Sequence, residues 1–211
     1  VVGGGMEDVR DLKELQLDAL REVANIGAGH AATALSQMTN RTIMIAVPEV
    51  NVRALEEVTD IVGAGDQVIA AVLMHMMGDL TGRTLVLFPE GSARTLCDIL
   101  LRRAPGTTGE FGAMEQSGLK EAGNILASAY LNALSDFMGM MLVPSVPSLV
   151  VDLSAAVLTT AYLNFGHDRD FVFCVETSFW VEGATEPLRG HFLLLPDMPS
   201  LRAIFDAIRL T

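Results

Sequence analysis

Two stretches of this chain place apolar residues three and four apart, the spacing of a helix with one buried side. They span residues 11–39 and 112–138. In the first, Leu20, Val23, Gly27, Ala31, Ala34 and Leu35 share one side. Asp18, Glu22, Asn25 and Gly29 follow at i, i+4, i+7 and i+11 along the other. Between and after these helices the pattern shortens into runs rich in Val, Ile, Leu, Phe and Thr, which predict strands. The first set is Thr42–Val47, Asn51–Leu55, Val68–Met77 and Thr84–Phe88, with Pro48 dividing the first two. The second set is Leu149–Leu153, Ala155–Leu163, Phe171–Trp180 and His191–Leu195. Amphipathic segments Ser92–Arg102 and Ser200–Arg209 each follow a strand and predict shorter helices. Strands joined by short turns pair antiparallel, so the predicted class is α+β rather than a doubly wound parallel sheet.

The chain also repeats itself. At an offset of 99 residues, Leu20, Glu22, Asn25, Ile26, Ala28, Ala34, Leu35, Ser36, Val47 and Pro48 lie over identical residues. That is ten identities in 31 ungapped positions, where ordinary residue frequencies give about three. The order of elements after each long helix repeats as well. The expected organisation is a single domain over residues 6–211 made of two similar halves, 6–104 and 110–211, joined by an Arg103–Gly109 linker. A pseudo-two-fold repeat is therefore expected, with an antiparallel sheet and two long helices. Val1–Gly5 read as a tag remnant before Met6, without the basic start or cleavage site of a signal peptide.

Half the residues are hydrophobic and mean hydropathy is +0.39, which raises the question of a membrane. The longest apolar stretches are too short, or are broken by Pro144, Pro147 and Asp152, so no transmembrane helix is expected. Fourteen basic residues against 26 acidic leave a net charge of −12. Such a chain cannot neutralise a phosphate backbone, which argues against nucleic acid, and it disfavours an anionic membrane surface. A basic or mixed protein surface remains as a partner. Cys97 and Cys174 sit in apolar runs without a Cys-x-x-Cys neighbour, as buried free thiols of a cytoplasmic protein would.

The polar stripe on the first helix returns on the second as Ser117, Glu121, Asn124 and Ser128. Any solvated helix face can carry Glu and Asn. Surface residues drift between duplicated halves, however, and these two are the same in both. Asn is also a poor helix former. Two such groups are too few for a tight metal site. His30, His75, His167 and His191 show no ligand pairing, and no nucleophile elbow or phosphate-cradling Gly-x-x-x-x-Gly-Lys loop is present. Gly27 reads as a close helix-packing position. An amide and a carboxylate can still hydrolyse an activated bond, the amide holding a water and the carboxylate anchoring a cation on the partner. Phosphoryl transfer depends mainly on such positioning.

At these residues the chain resembles the CheC family of chemotaxis phosphatases, which includes CheX and the phosphatase part of FliY. The family pattern is Asp or Ser, then Glu four residues on, Asn three further, and Pro 23 beyond that. Asp18, Glu22, Asn25 and Pro48 fit it, and Ser117, Glu121, Asn124 and Pro147 fit it again. The two-halved layout is most similar to CheC within that family. The resemblance implies hydrolysis of the aspartyl phosphate of a CheY-type response regulator. It assigns the attacking water to Asn25 and Asn124, and contact with a regulator lysine to Glu22 and Glu121. Asp18 and Ser117 would support the helix face or touch the partner, and Pro48 and Pro147 would be structural. The chain would need no cofactor of its own, Mg²⁺ belonging to the regulator, and some family members also bind CheD. The alternatives are a non-hydrolytic adaptor or buffer for the phosphorylated regulator, a CheD-binding regulatory protein, and a structural flagellar-switch component with an idle site.

Overall fold

The computed structural model describes residues 14–54, 57–58, 65–165, 171–184 and 186–209. The proposed tag remnant 1–5, Leu55 and His167 lie outside them. In chain order the elements are α1 (Glu14–Thr39), β1 (Ile43–Ile45), β2 (Glu49–Ala54), β3 (Val68–Gly78), β4 (Gly82–Pro89) and α2 (Glu90–Leu100). After these come α3 (Ala113–Met138), β5 (Leu142–Pro144), β6 (Ser148–Leu153), α4 (Ser154–Phe165), β7 (Phe171–Val181), β8 (Leu188–Pro196) and α5 (Met198–Arg209). The α+β class and the two long helices are as the sequence predicts.

All eight described strands form one antiparallel sheet, and its order explains how the halves fit together. Hydrogen-bonded neighbours run β1-β7-β8-β4-β3-β5, with β2 continuing β1 along β7 and β6 continuing β5 along β3. The sheet is therefore symmetric about the β4–β8 pair. The first half's β1 and β2 lie on β7 of the second half, and the second half's β5 and β6 lie on β3 of the first. The repeat is interlocked: each half completes the other's sheet edge.

The sheet faces two apolar layers. Strands such as β4 are buried on both sides, as they must be when both faces are covered. On one face Val72, Val86, Phe88, Phe192 and Leu194 pack with residues of α1, α2, α3 and α5. On the other, Leu85, Leu87, Cys174, Leu193 and Leu195 pack with Val157, Leu158 and Ala161 of α4. α1 gives way to Asn40 (φ 52°) and α3 ends on Gly139 (φ 64°). These residues are equivalent in the repeat, and each turns the chain through the left-handed conformation that closes a helix.

One predicted element is corrected. Ala155–Leu163, expected as a strand, lies in helix α4. Its apolar run has no strict alternation. Val157, Leu158 and Ala161 are buried while Ala155, Ala156, Thr159 and Thr160 are exposed, which is a helical period. Thr160 Oγ1 donates to the Ala156 carbonyl one turn back (2.8 Å). Strand β5 is short, and its Pro144 hid it from the sequence pattern.

Candidate functional site

The two polar stripes are held by the buried sides of their own helices. On α1, Leu20, Val23, Ala28, Ala31 and Leu35 enter the core, leaving Asp18, Glu22, Asn25 and Gly29 exposed. On α3, Leu119, Ala122, Leu126, Ala127 and Leu134 do the same. Ser117 and Glu121 are exposed, and Asn124 and Ser128 are half-buried. Each helix approaches its support closely at a glycine. A Cβ on Gly27 would lie 2.7 Å from Tyr130 Cδ1, and one on Gly123 would lie 2.7 Å from the Val72 side chain. Tyr130 is itself fixed, its hydroxyl hydrogen-bonded to Thr177 Oγ1 (2.7 Å) and its ring stacked on Phe192. Close packing at Gly27 is thus as the sequence suggested.

The structure brings each predicted trio together on one helix face. It does so with different degrees of restraint. Asp18 is tied to Arg21 one turn on (2.6 Å). Among the described residues, no side-chain hydrogen bond or ion pair engages Glu22, Asn25, Glu121 or Asn124. Their donors and acceptors stand ready for an external group. Gly29 has open space where a Cβ would be, so a partner can approach the turn beyond Asn25.

The prolines reach the same neighbourhood by a different route. Ile43 N–H donates to Ser36 Oγ (2.9 Å), which sets β1 level with the third turn beyond Asn25. Eleven helical residues back to Asn25 and five extended residues on to Pro48 each cover about 16 Å. Val50 then lines one small apolar cavity with Leu20, Val23 and Ala24, as that reckoning requires. Pro48 therefore stands level with Asn25. In the second half the Ser135 hydroxyl bonds the Met140 carbonyl just ahead of β5, and Pro147 holds the equivalent place in the repeat.

Each proline also sits in a β-bulge. Ile45 faces Phe179 and Ala46 N–H donates to Ser178 O (3.0 Å), but Glu49 faces Glu176. Val47 and Pro48 thus stand together opposite Thr177. Ser145 N–H donates to His75 O (2.8 Å), but Ser148 faces Leu73. Val146 and Pro147 thus stand opposite Met74. A bulge is where a strand can take a proline without losing a ladder hydrogen bond, and it re-aims the adjoining side chain. Here it turns out the two most exposed large apolar residues of the described chain, Val47 (80%) and Val146 (89%). The sequence carried the signal, since Val-Pro is identical in both halves. Its geometry could not be read without the cross-strand register.

Other chemistries find little support nearby. No group of three or more His, Cys, Asp or Glu among the described residues is placed to hold a metal. Cys97 and Cys174 are both buried, and neither is in a disulfide. Burial, with Glu115 and Asp98 nearby, pushes the Cys97 thiol up to about 11, so it is no nucleophile at neutral pH. His30 and His75 are exposed, and His191 is a buried strand residue. A broad cleft beside α2, lined by Arg41, Ser92, Asp98 and Arg189, includes none of the stripe residues. No helix among the described residues is long and apolar enough to cross a membrane. The stripes themselves lie on open helix surface, which suits a protein partner rather than an enclosed small molecule.

A duplicated antiparallel sheet with a Glu–Asn stripe on each long helix defines the class to which the molecule belongs. A family model described as CheC-like matches residues 15–52 and 114–151, two windows that each contain a full stripe and its proline. The chain belongs to the CheC-like family. It is 35% identical over 199 residues to a Bacillus subtilis (strain 168) protein named CheY-P phosphatase CheC, covering 93% of this chain and 95% of the relative. The crystal structure of Thermotoga maritima FliY superposes with a TM-score of 0.74 at 21% identity, covering 95% of this chain and 98% of that one. The middle domain of FliM from H. pylori superposes with a TM-score of 0.63 at 16% identity, covering 93% and 99%. These two structural likenesses show the fold alone.

Proposed function

We propose that the protein is a phosphatase that hydrolyses the aspartyl phosphate of a CheY-type receiver, with one site on each long helix. The observation that carries this reading is the repeated Glu–Asn pair, Glu22 with Asn25 and Glu121 with Asn124, on the outer face of each long helix and without side-chain partners among the described residues. A fold shared with a FliM domain does not choose between catalysis and scaffolding. The retained pairs favour catalysis, and so does the similarity to a relative named for this activity.

In this reading Asn25 and Asn124 each hold a water with the amide, which both donates and accepts, in line with the phosphoryl group. Glu22 and Glu121 each anchor the helix to the receiver through a lysine of its phosphorylation site. Asp18, held by Arg21, and Ser117 border that contact, while Pro48 and Pro147 shape the strand beside it. Mg²⁺ is contributed by the receiver, and the protein acts in the cytoplasm where that partner works. Orienting one water accounts for a hundredfold in rate with about 2.7 kcal/mol, a modest demand on one well-held side chain. The test is the decay of a phosphorylated CheY-type receiver with this protein at substoichiometric amount. Accelerated decay with turnover supports the phosphatase. Unchanged decay with measurable binding replaces it with an adaptor that holds the phosphorylated receiver.

A further inference from the structure

We infer that Val47 and Val146 are receiver-contacting residues, apolar knobs that set how tightly the phosphorylated partner seats on each stripe; the inference rests on the phosphatase reading above. Four observations lead to it. The two valines are exposed to 80% and 89%, so they add almost nothing to the core. Each is turned outward by a β-bulge at the same point of its half. The residues are identical in both halves, whereas exposed positions with no role drift apart, as Thr42 has from Met141. In the first half the Ser36–Ile43 bond and the cavity that Val50 shares with Leu20, Val23 and Ala24 set the knob's strand beside the stretch of α1 that carries the water-holding Asn.

In the first half Ile26, next to Asn25 and itself 46% exposed, extends the apolar border. Its counterpart Ile125 is half-buried. The polar stripe supplies orientation and the valine supplies apolar area, the usual division between the parts of an interface. The occupant is the receiver rather than a second copy of this chain. Two copies at a net charge of −12 each repel one another. One or two side chains per half also fall far short of the ~1,000 Å² that a stable dimer interface buries. A small apolar contact beside a charged anchor suits a partner that must arrive, react and leave.

The test replaces both valines by Ser, which removes the apolar surface at similar size, and in a second variant by Ile, which keeps it. Receiver-phosphate decay is followed as a function of receiver concentration. The expected result is a fivefold or greater rise in the half-saturating concentration for Val47→Ser with Val146→Ser. The maximal rate stays within twofold, which also shows that the fold is intact, and the Ile variant stays close to the unaltered protein. An unchanged half-saturating concentration overturns the inference, as does a fall in maximal rate alone. So does a dimer in sedimentation that the Ser variant dissolves, which would assign the valines to a second copy. If the unaltered protein fails to accelerate decay, the phosphatase reading fails by itself. Titration with the beryllofluoride-loaded receiver then decides the contact separately: weaker binding by the Ser variant supports it, and equal binding overturns it.

Discussion

Gly27 of the first long helix meets Tyr130 of the second so closely that a Cβ would lie 2.7 Å from the ring and 3.1 Å from the Tyr130 Cα. The ring is stacked and hydrogen-bonded, and the Cα is backbone, so neither can give way cheaply. Gly27→Ala should therefore destabilise folding by about 1–3 kcal/mol, the usual cost of overpacking. Gly29, two residues on and on the exposed stripe, has nothing within 4 Å of the same position. There Gly29→Ala should stabilise by about 0.5–1 kcal/mol through helix propensity. Urea unfolding of the two variants checks the contrast, and equal effects would remove the packing account.

The Gly106–Thr108 turn between α2 and α3 hangs on Asp98. Its carboxylate accepts from the N–H groups of Gly106 (2.7 Å), Thr107 (3.2 Å) and Thr108 (2.9 Å) and from the Thr108 hydroxyl (2.6 Å). Burial alone would raise its pKa, but these bonds, led by that of the Thr108 hydroxyl, outweigh it and hold the group below the ordinary carboxylate value. Asp98→Ala should cost about 3 kcal/mol at neutral pH, because it strips four donors of their partner. A depressed carboxylate contributes stability that is complete above its unfolded pKa and is lost as pH falls through the folded one. The gap between the two proteins in urea should narrow in acid; a gap independent of pH would contradict this.

His191 adds a second pH dependence. It is 1% exposed, and neither ring nitrogen has a hydrogen-bond partner among the described residues. Burial first, and then the Arg189 charge, push its pKa down to about 4. Glu176 Oε1 stands 3.7 Å from Nε2, outside hydrogen-bond range, and does not reverse this. Between about pH 6.5 and 4 the unfolded chain binds a proton that the folded one refuses, so stability falls with pH across that window, by up to about 3 kcal/mol. His191→Leu should flatten the slope, as read from thermal unfolding at pH 7 and pH 5. A slope unchanged by the substitution would assign it to other groups.

Glu22 is exposed and has no side-chain partner among the described residues. With the second site disabled by Glu121→Ala and Asn124→Ala, Glu22→Lys should weaken receiver binding by about 2 kcal/mol, roughly thirtyfold, because it places like charges together. Titration with activated receiver measures it, and unchanged affinity would remove the lysine contact from the account.

The stripes were legible because Glu and Asn recur at one spacing on two helices whose apolar sides are also periodic. The α+β class followed from the order of the elements. Three features were hidden for physical reasons. Ala155–Leu163 is apolar but for Thr159 and Thr160, and only its burial pattern reveals the helix. The exchange of strand pairs between halves is a long-range choice that local patterning does not encode. The bulges at Val47-Pro48 and Val146-Pro147 exist only as a register shift against β7 and β3. The sequence could show that Val-Pro repeats, but not that the valine is turned outward.

The central claim is that the two asparagines position the attacking water. The most direct test is the rate of receiver-phosphate decay with the unaltered protein and with Asn25→Ala combined with Asn124→Ala. Both asparagines lie off the core, Asn25 exposed and Asn124 half-buried, so the fold should survive the change. The account predicts that the double variant loses at least a hundredfold in catalysed rate while still binding the activated receiver. A double variant that keeps the full rate would contradict it.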